Sequence, residues 1–384
     1  MRILHVVPTY LPATRYGGPI YSVNGLAQAQ AELGHDVHVF TTNIDGPGVS
    51  PVPVEEPVIL KAVKVWYFRC GIGRRIYRSP GMGAALNRDV ATFDIVHLHS
   101  VFLWPTVAAA RAAERANVPY LLAPRGMLVA DLFRKKSRAL KLTWIALFER
   151  HTIERAAAVH VTSNVEADEI KALGLKPKRT VVVPNGVVLP ECVGPMNAGD
   201  IADRRPYVLS LGRISWKKRL DRLIAAMVHV PEVDLVIAGN DEEGLRPKLE
   251  AQARVIGLGD RVHFVGAVQG ARKWSLMQGA KAFALPSENE NFGIVVLEAM
   301  AAAVPVIVTP QVGLAAAVER AGAGVVAEGE PSTFGAALAS LLADPERMQA
   351  MGWAGRQVAR ESFSWRAIAD EMESIYTTLR ESAK

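Results

Sequence analysis

Arg2-Ile3-Leu4-His5-Val6-Val7-Pro8, then Tyr21 to Leu33, then Val37-His38-Val39-Phe40-Thr41-Thr42 decide the fold of this chain. A short β-rich run, an amphipathic helical stretch and a second β-rich run form a βαβ unit. Joining two parallel strands through a helix demands a right-handed crossover. The pattern repeats with β-rich runs at Val63–Phe68, Ile95–His99, Tyr120–Ala123, Val159–Thr162 and Val181–Val183. A sheet built this way is largely parallel with helices on both faces. Residues 1–190 are therefore expected to form an α/β doubly wound, Rossmann-like domain.

From Glu191 to Arg205 apolar periodicity is missing, and Gly194, Pro195, Asn197, Gly199 and Asp200 mark a linker. A second alternating series follows at Tyr207–Leu211, Leu235–Ala238, Val262–Val265, Ala282–Leu285, Val304–Val308 and Gly324–Ala327. It predicts a second Rossmann-like domain over residues 206–364. Residues 365–384 close the chain with Ile368, Met372, Ile375, Tyr376 and Leu379 at helical spacing. They predict an amphipathic helix with one buried face, a candidate to cross back to the first domain.

Composition agrees with two cores. The chain has 384 residues, half of them hydrophobic and 21% charged, with mean hydropathy +0.14, which excludes a disordered or fibrous protein. Cys70 and Cys192 show no Cys-x-x-Cys spacing, so neither a disulfide framework nor a zinc site is suggested. The apolar run Ile3–Val7 is too short for a signal-peptide core, and a cytoplasmic location is expected. Ala299 to Val318 is 20 residues without a charge, a membrane-span length. Pro305, Pro310 and Gly313 divide it into a helix end, a strand Pro305–Thr309 and a new helix. Residues 1–190 hold 23 Lys and Arg against 14 Asp and Glu, a surplus of nine. The rest hold 21 against 24, so an anionic partner is expected of the first half alone.

Four groups of residues carry chemistry. Gly17-Gly18 follows the opening strand and precedes a helix, where backbone N–H groups can meet phosphate. Leu209-Ser210-Leu211-Gly212 reads as a strand ending in a glycine turn, and Arg213, Lys217, Lys218 and Arg219 follow within seven positions. Such a cluster at the carboxyl end of a parallel strand suits a diphosphate. Pro286-Ser287-Glu288-Asn289-Glu290-Asn291-Phe292-Gly293 leads into a helix expected to begin near Phe292. Glu290 then sits in the loop and Glu298 about two turns into the helix, a spacing that brings the two toward a common face if the helix reaches back far enough. A glutamate in so apolar a helix needs hydroxyls or cations beside it. His97 and His99 end one strand, and Arg125 stands in the loop Pro124-Arg125-Gly126.

On these residues the chain resembles the family-4 retaining glycosyltransferases, which have the GT-B architecture of two Rossmann-like domains facing across a cleft. The matching elements are Gly212-Arg213 with Lys218, the pair Glu290 and Glu298 within Glu290-Asn291-Phe292-Gly293, Gly17-Gly18, Leu33-Gly34-His35-Asp36, Asp94-Ile95-Val96-His97-Leu98-His99, Val183-Pro184-Asn185-Gly186 and Phe363-Ser364-Trp365. The resemblance implies a nucleotide-diphosphate sugar as co-substrate, with Arg213 and Lys218 on the diphosphate. Glu290 would bind sugar hydroxyls and Glu298 the ribose. Backbone of Gly17, Gly18, Asn291, Phe292, Gly293 and Ile294 would complete the donor site, and Arg213, Lys218 and Glu290 would carry catalysis. His99 and Arg125 would face a glycan or lipid-linked acceptor; Arg125 stands where many members have a histidine.

Further expectations follow from the same residues. Two cations and helix-end donors can stabilise a departing nucleoside diphosphate without a metal, and no Asp-x-Asp pair occurs. No cofactor and no nucleic acid is expected. An anionic membrane surface is a candidate partner for Arg134–Lys141 and the apolar residues Trp144, Leu147 and Phe148 that follow. The competing readings are a dehydrogenase, a GT-B epimerase and a non-enzymatic scaffold. Gly71-x-Gly73 and Gly81-x-Gly83 lack the third glycine of a dinucleotide fingerprint, at Ile76 and Leu86, and the intact donor set argues against a scaffold.

Overall fold

A computed structural model describes residues 1–15, 17–128, 143–191 and 205–382. The chain divides into two units, one made of Met1–Gly186 with Trp365–Lys384, the other of Val187–Ser364.

The first unit is built on an eight-stranded sheet. Its order is Thr180–Val182, Ala158–Val161, Tyr120–Ala123, Ile95–His99, Arg2–Thr9, Asp36–Thr42, Val63–Phe68 and Pro57–Leu60. All pairings are parallel except the last. The Pro57–Leu60 strand turns back on its neighbour through a tight connection at Lys61 and Ala62, both at positive φ, and forms the antiparallel edge. That strand and the Ile44–Asp45/Gly48–Val49 hairpin are additions to the expected parallel series. The central strands are buried on both faces, which explains their continuous apolar runs.

Helix Trp365–Ser382 belongs to this unit, packing on helix Gly18–Glu32 with Ile368, Met372, Tyr376 and Leu379 buried. Burial of each large apolar side chain contributes roughly 1.5–3 kcal/mol. Arg380 pairs with Asp94 at 3.2 Å. The Trp365 ring lies so close to Gly25 and Gly186 that a Cβ at either would stand 2.2 and 2.5 Å from it. Two glycines are therefore required by one indole.

The second unit has a fully parallel six-stranded sheet, ordered Val262–Gly266, Asp234–Ala238, Tyr207–Leu211, Ala282–Leu285, Val306–Val308 and Gly324–Val326. The strand order reverses beside Tyr207–Leu211, the place where open α/β sheets bind ligands beyond the carboxyl ends. The units part at Gly186, four residues earlier than the sequence boundary. Val187 N–H donates to the Phe363 carbonyl at 2.8 Å and the Val187 side chain joins the second core. Of the expected linker, residues 192–204 lie outside the described residues. Among the described residues no helix is long and apolar enough to cross a membrane.

Candidate active site

In the second unit, three strand ends are tied by their turns. Gly212 N–H donates to the Ala238 carbonyl at 2.9 Å, Ile214 N–H to Asn240 at 2.8 Å, and Gly239 N–H to Gly266 at 2.8 Å. A Cβ at Gly239 would sit 1.8 Å from the Gly212 carbonyl oxygen, so only glycine permits this approach. The chain then passes Arg213 and enters the turn Trp216–Lys218, whose Lys217 carbonyl accepts from Glu288 N–H at 2.8 Å. That bond couples the cationic turn to the loop after strand Ala282–Leu285.

The acidic loop is held from its other side. Glu290 N–H donates to Gln311 at 3.2 Å, Gly313 N–H to Glu290 at 2.8 Å, and Leu314 N–H to Phe292 at 3.1 Å. Thr309 Oγ1 donates to the Ser287 carbonyl at 2.6 Å. The Phe292 ring packs into the core, so only its backbone is available to a ligand. Gly293, at φ 88°, caps helix Ile294–Ala301 and has no side chain to offer its first N–H groups. Those donors and the positive end of the helix dipole face the loop.

Within this frame Lys218 Nζ donates to Glu290, both largely shielded from solvent. The helix begins at Ile294 and does not reach back to Glu290, which corrects the common-face expectation for the two glutamates. Glu298 instead pairs with Lys273 at 2.7 Å, at 16% and 21% side-chain exposure. Lys273, on helix Gly270–Gly279, also lies 4.7 Å from the Trp274 ring centroid. Sequence reading missed Lys273 because it stands 25 residues from its partner; the one available signal was that Glu298 required a cation. Arg213 is mostly exposed and meets Glu242 at 3.4 Å. Arg219 departs from the expected free cluster. It adopts positive φ and is neutralised by Asp221 and Glu288 at 3.1 and 2.9 Å, carboxylates that push its pKa up. Arg213 and Lys218 meet one carboxylate each, Glu242 and Glu290, whereas Arg219 meets two.

In the first unit, Gly17 at φ 69° caps helix Gly18–Glu32, again without a side-chain cap. His99 is fully buried and does not face solvent, unlike the acceptor-facing expectation. Arg125, at φ 56°, brings its Nη2 to 3.2 Å from His99 Nδ1 and its Nη1 to 2.9 Å from Asn185 Oδ1. Burial lowers its pKa to about 10. His5 and His160, also buried, join His97 and His99 on the same sheet, and sequence reading singled out neither. The Arg134–Lys141 segment lies outside the described residues.

Both units match known proteins. Residues 17–186 match the glycosyl transferase 4-like domain and residues 196–358 the glycosyl transferases group 1 family. A D-inositol 3-phosphate glycosyltransferase of Xylanimonas cellulosilytica is 28% identical across 98% of this chain and 95% of its own. A sucrose-phosphate synthase structure from Thermosynechococcus elongatus superposes with TM-score 0.78 at 23% identity, covering 100% of both chains. An Anabaena protein solved with UDP and glucose gives 0.74 at 19%, covering 98% of this chain and 100% of that one. Both structures share the GT-B fold of two Rossmann-like domains. The chain belongs to the group 1 glycosyltransferases and is an enzyme that transfers sugars.

Proposed function

We propose that the chain moves a sugar from a nucleotide-diphosphate sugar to an acceptor hydroxyl with retention of configuration, in the synthesis of a polysaccharide or glycolipid. The observation that carries this reading is the pairing of two lysines with two glutamates, Lys218 with Glu290 and Lys273 with Glu298, on the loop and helix either side of the glycine cap Gly293. Diphosphate draws Lys218 and Arg213, and the charge that builds on the departing nucleoside diphosphate is met by these cations and by the Asn291–Ile294 backbone. Glu290, freed of Lys218, takes sugar hydroxyls, and Glu298, steadied by Lys273, takes the ribose. Gly17 and Gly18, at the head of helix Gly18–Glu32, supply backbone donors to an anionic group. Arg125 serves the acceptor, and the acceptor's proton passes to the leaving phosphate, so no protein nucleophile is assigned.

Two experiments bear on this. UDP-, GDP- and ADP-sugars are screened by thermal shift; one class is expected to raise the melting temperature, and Lys218→Ala is expected to cut turnover of that donor by at least about 100-fold while the fold is retained. Stabilisation by none of them, or near-normal turnover in the variant, overturns the donor assignment. The second experiment concerns location. Leu147 is 64% exposed on the helical segment bearing Trp144 and Arg150, and the first half of the chain is basic. We place the enzyme at the cytoplasmic face of an anionic membrane. Co-sedimentation with phosphatidylglycerol vesicles at low salt is expected, and recovery of all protein in the supernatant refutes this location.

A further inference from the structure

The buried imidazoles of the first unit form two hydrogen-bonded series whose ends leave no freedom of direction. In the first, Arg125 Nε and Nη2 stand 3.4 and 3.2 Å from His99 Nδ1. A guanidinium only donates, so His99 Nδ1 must carry a lone pair and its proton must sit on Nε2. His99 Nε2–H then donates to His5 Nδ1 at 2.9 Å, and His5 Nε2–H donates to Gln30 Oε1 at 2.7 Å. In the second, the Val183 carbonyl only accepts, so His160 Nε2–H donates to it at 2.8 Å. His160 Nδ1 accepts from His97 Nε2–H at 3.2 Å, and His97 Nδ1 accepts from the Tyr376 hydroxyl at 2.7 Å. Burial keeps His97 and His160 neutral, so all four rings are protonated on Nε2.

His5, His97 and His99 bring ring nitrogens within 4.8 Å of one another, near enough to suggest a metal site. The tautomers argue against it. A metal on His99 Nε2 would place the ring's proton on Nδ1, facing two Arg125 donors, whereas ligating histidines turn that N–H toward an acceptor.

The arrangement ends on Arg125. Its Nε, one Nη2 hydrogen and one Nη1 hydrogen are taken by His99 and Asn185. Among the described residues, one hydrogen on each Nη meets no acceptor, a fork suited to two oxygens of a ligand. We propose that His99 is a positioning residue: its neutral imidazole, fixed through His5 to Gln30, sets the Arg125 fork against Asn185 for use in sugar transfer. The structural part stands on the first unit alone; the use in transfer rests on the function proposed above.

Asparagine and glutamine separate the two ring nitrogens. In His99→Asn the amide oxygen takes the place of Nδ1 and keeps an acceptor for Arg125; in His99→Gln the amide takes the place of Nε2 and that acceptor is lost. Protein labelled with ¹⁵N at His and Arg is expected to show four neutral Nε2–H rings at pH 7.5 and a slowly exchanging Arg125 Nε–H. That signal persists in His99→Asn and disappears in His99→Gln. With the donor selected by the thermal-shift screen, His99→Gln loses about 10- to 100-fold in kcat with donor KM within about twofold, while His99→Asn stays within about threefold of wild type. A Nδ1–H tautomer at His99, equal Arg125 signals in the two variants, or zinc co-purifying at one equivalent overturns the proposal. The tautomers are read in the wild-type chain, so unfolding of a variant does not remove that test. If no donor is turned over, the proposed function falls while the spectra still decide the role of His99.

Discussion

Glu298 shows how one side chain announces a partner it does not name. A carboxylate between Leu297 and Ala299 on a helix this apolar is costly unless paired, and Lys273 supplies the cation at 2.7 Å. The pair is shielded but not sealed, so Lys273→Ala is expected to cost about 1–2 kcal/mol in urea denaturation, below the 3–5 kcal/mol typical of a fully buried pair. A midpoint equal to wild type would mean that Glu298 is hydrated and needs no cation. The need for a partner was legible in the sequence. Its identity was not, because Lys273 reaches Glu298 only through the packing of two helices. Arg219 errs in the other direction. Its neighbours in sequence set it in a cationic cluster, and Glu288, 69 positions away, gives it a carboxylate that the local pattern does not show.

At the level of elements, alternation of apolar runs and helical stretches was enough to place the parallel strands, since each central strand is buried on both faces and therefore continuous in hydrophobicity. Pro57–Leu60 escaped that reading because it is an edge strand with alternate residues in solvent, Ile59 at 60% exposure. The start of helix Ile294–Ala301 was set two residues late relative to expectation by Gly293, whose left-handed conformation stops the helix from reaching back to Glu290. The difference separates the two glutamates onto different lysines. The Phe363-Ser364-Trp365 motif acquires its physical meaning here as well. Trp365 fills the space left by Gly25 and Gly186, a contact between three elements that no local pattern reveals.

For the molecule as a whole, the neutral histidines tie stability to pH. Burial pushes His5 down to about 4 and His160 to about 3, and holds His97 and His99 well below the ordinary value. The unfolded chain takes up protons below about pH 6.5 where the folded chain does not. Stability is therefore full above that pH and falls on acidification until the folded groups themselves titrate, near 4 and 3. His5 and His160 alone are expected to remove roughly 4 kcal/mol between pH 7 and 5, a large part of an ordinary 5–15 kcal/mol. Urea midpoints for the first unit measured at both pH values check this, and equal midpoints would show that the rings are open to water in the folded state.

The chain leaves the first unit at Gly186 and returns to it at Trp365, with residues 187–364 between. Synthesis proceeds from the N-terminus, so the second unit is complete on the ribosome while the first still lacks Tyr376 for His97, Trp365 for its two glycines and Arg380 for Asp94. The unit begun first is the last to be finished, and a chain cut at Ser364 keeps every residue of the second unit while helix Gly18–Glu32 of the first loses the helix that packs on it.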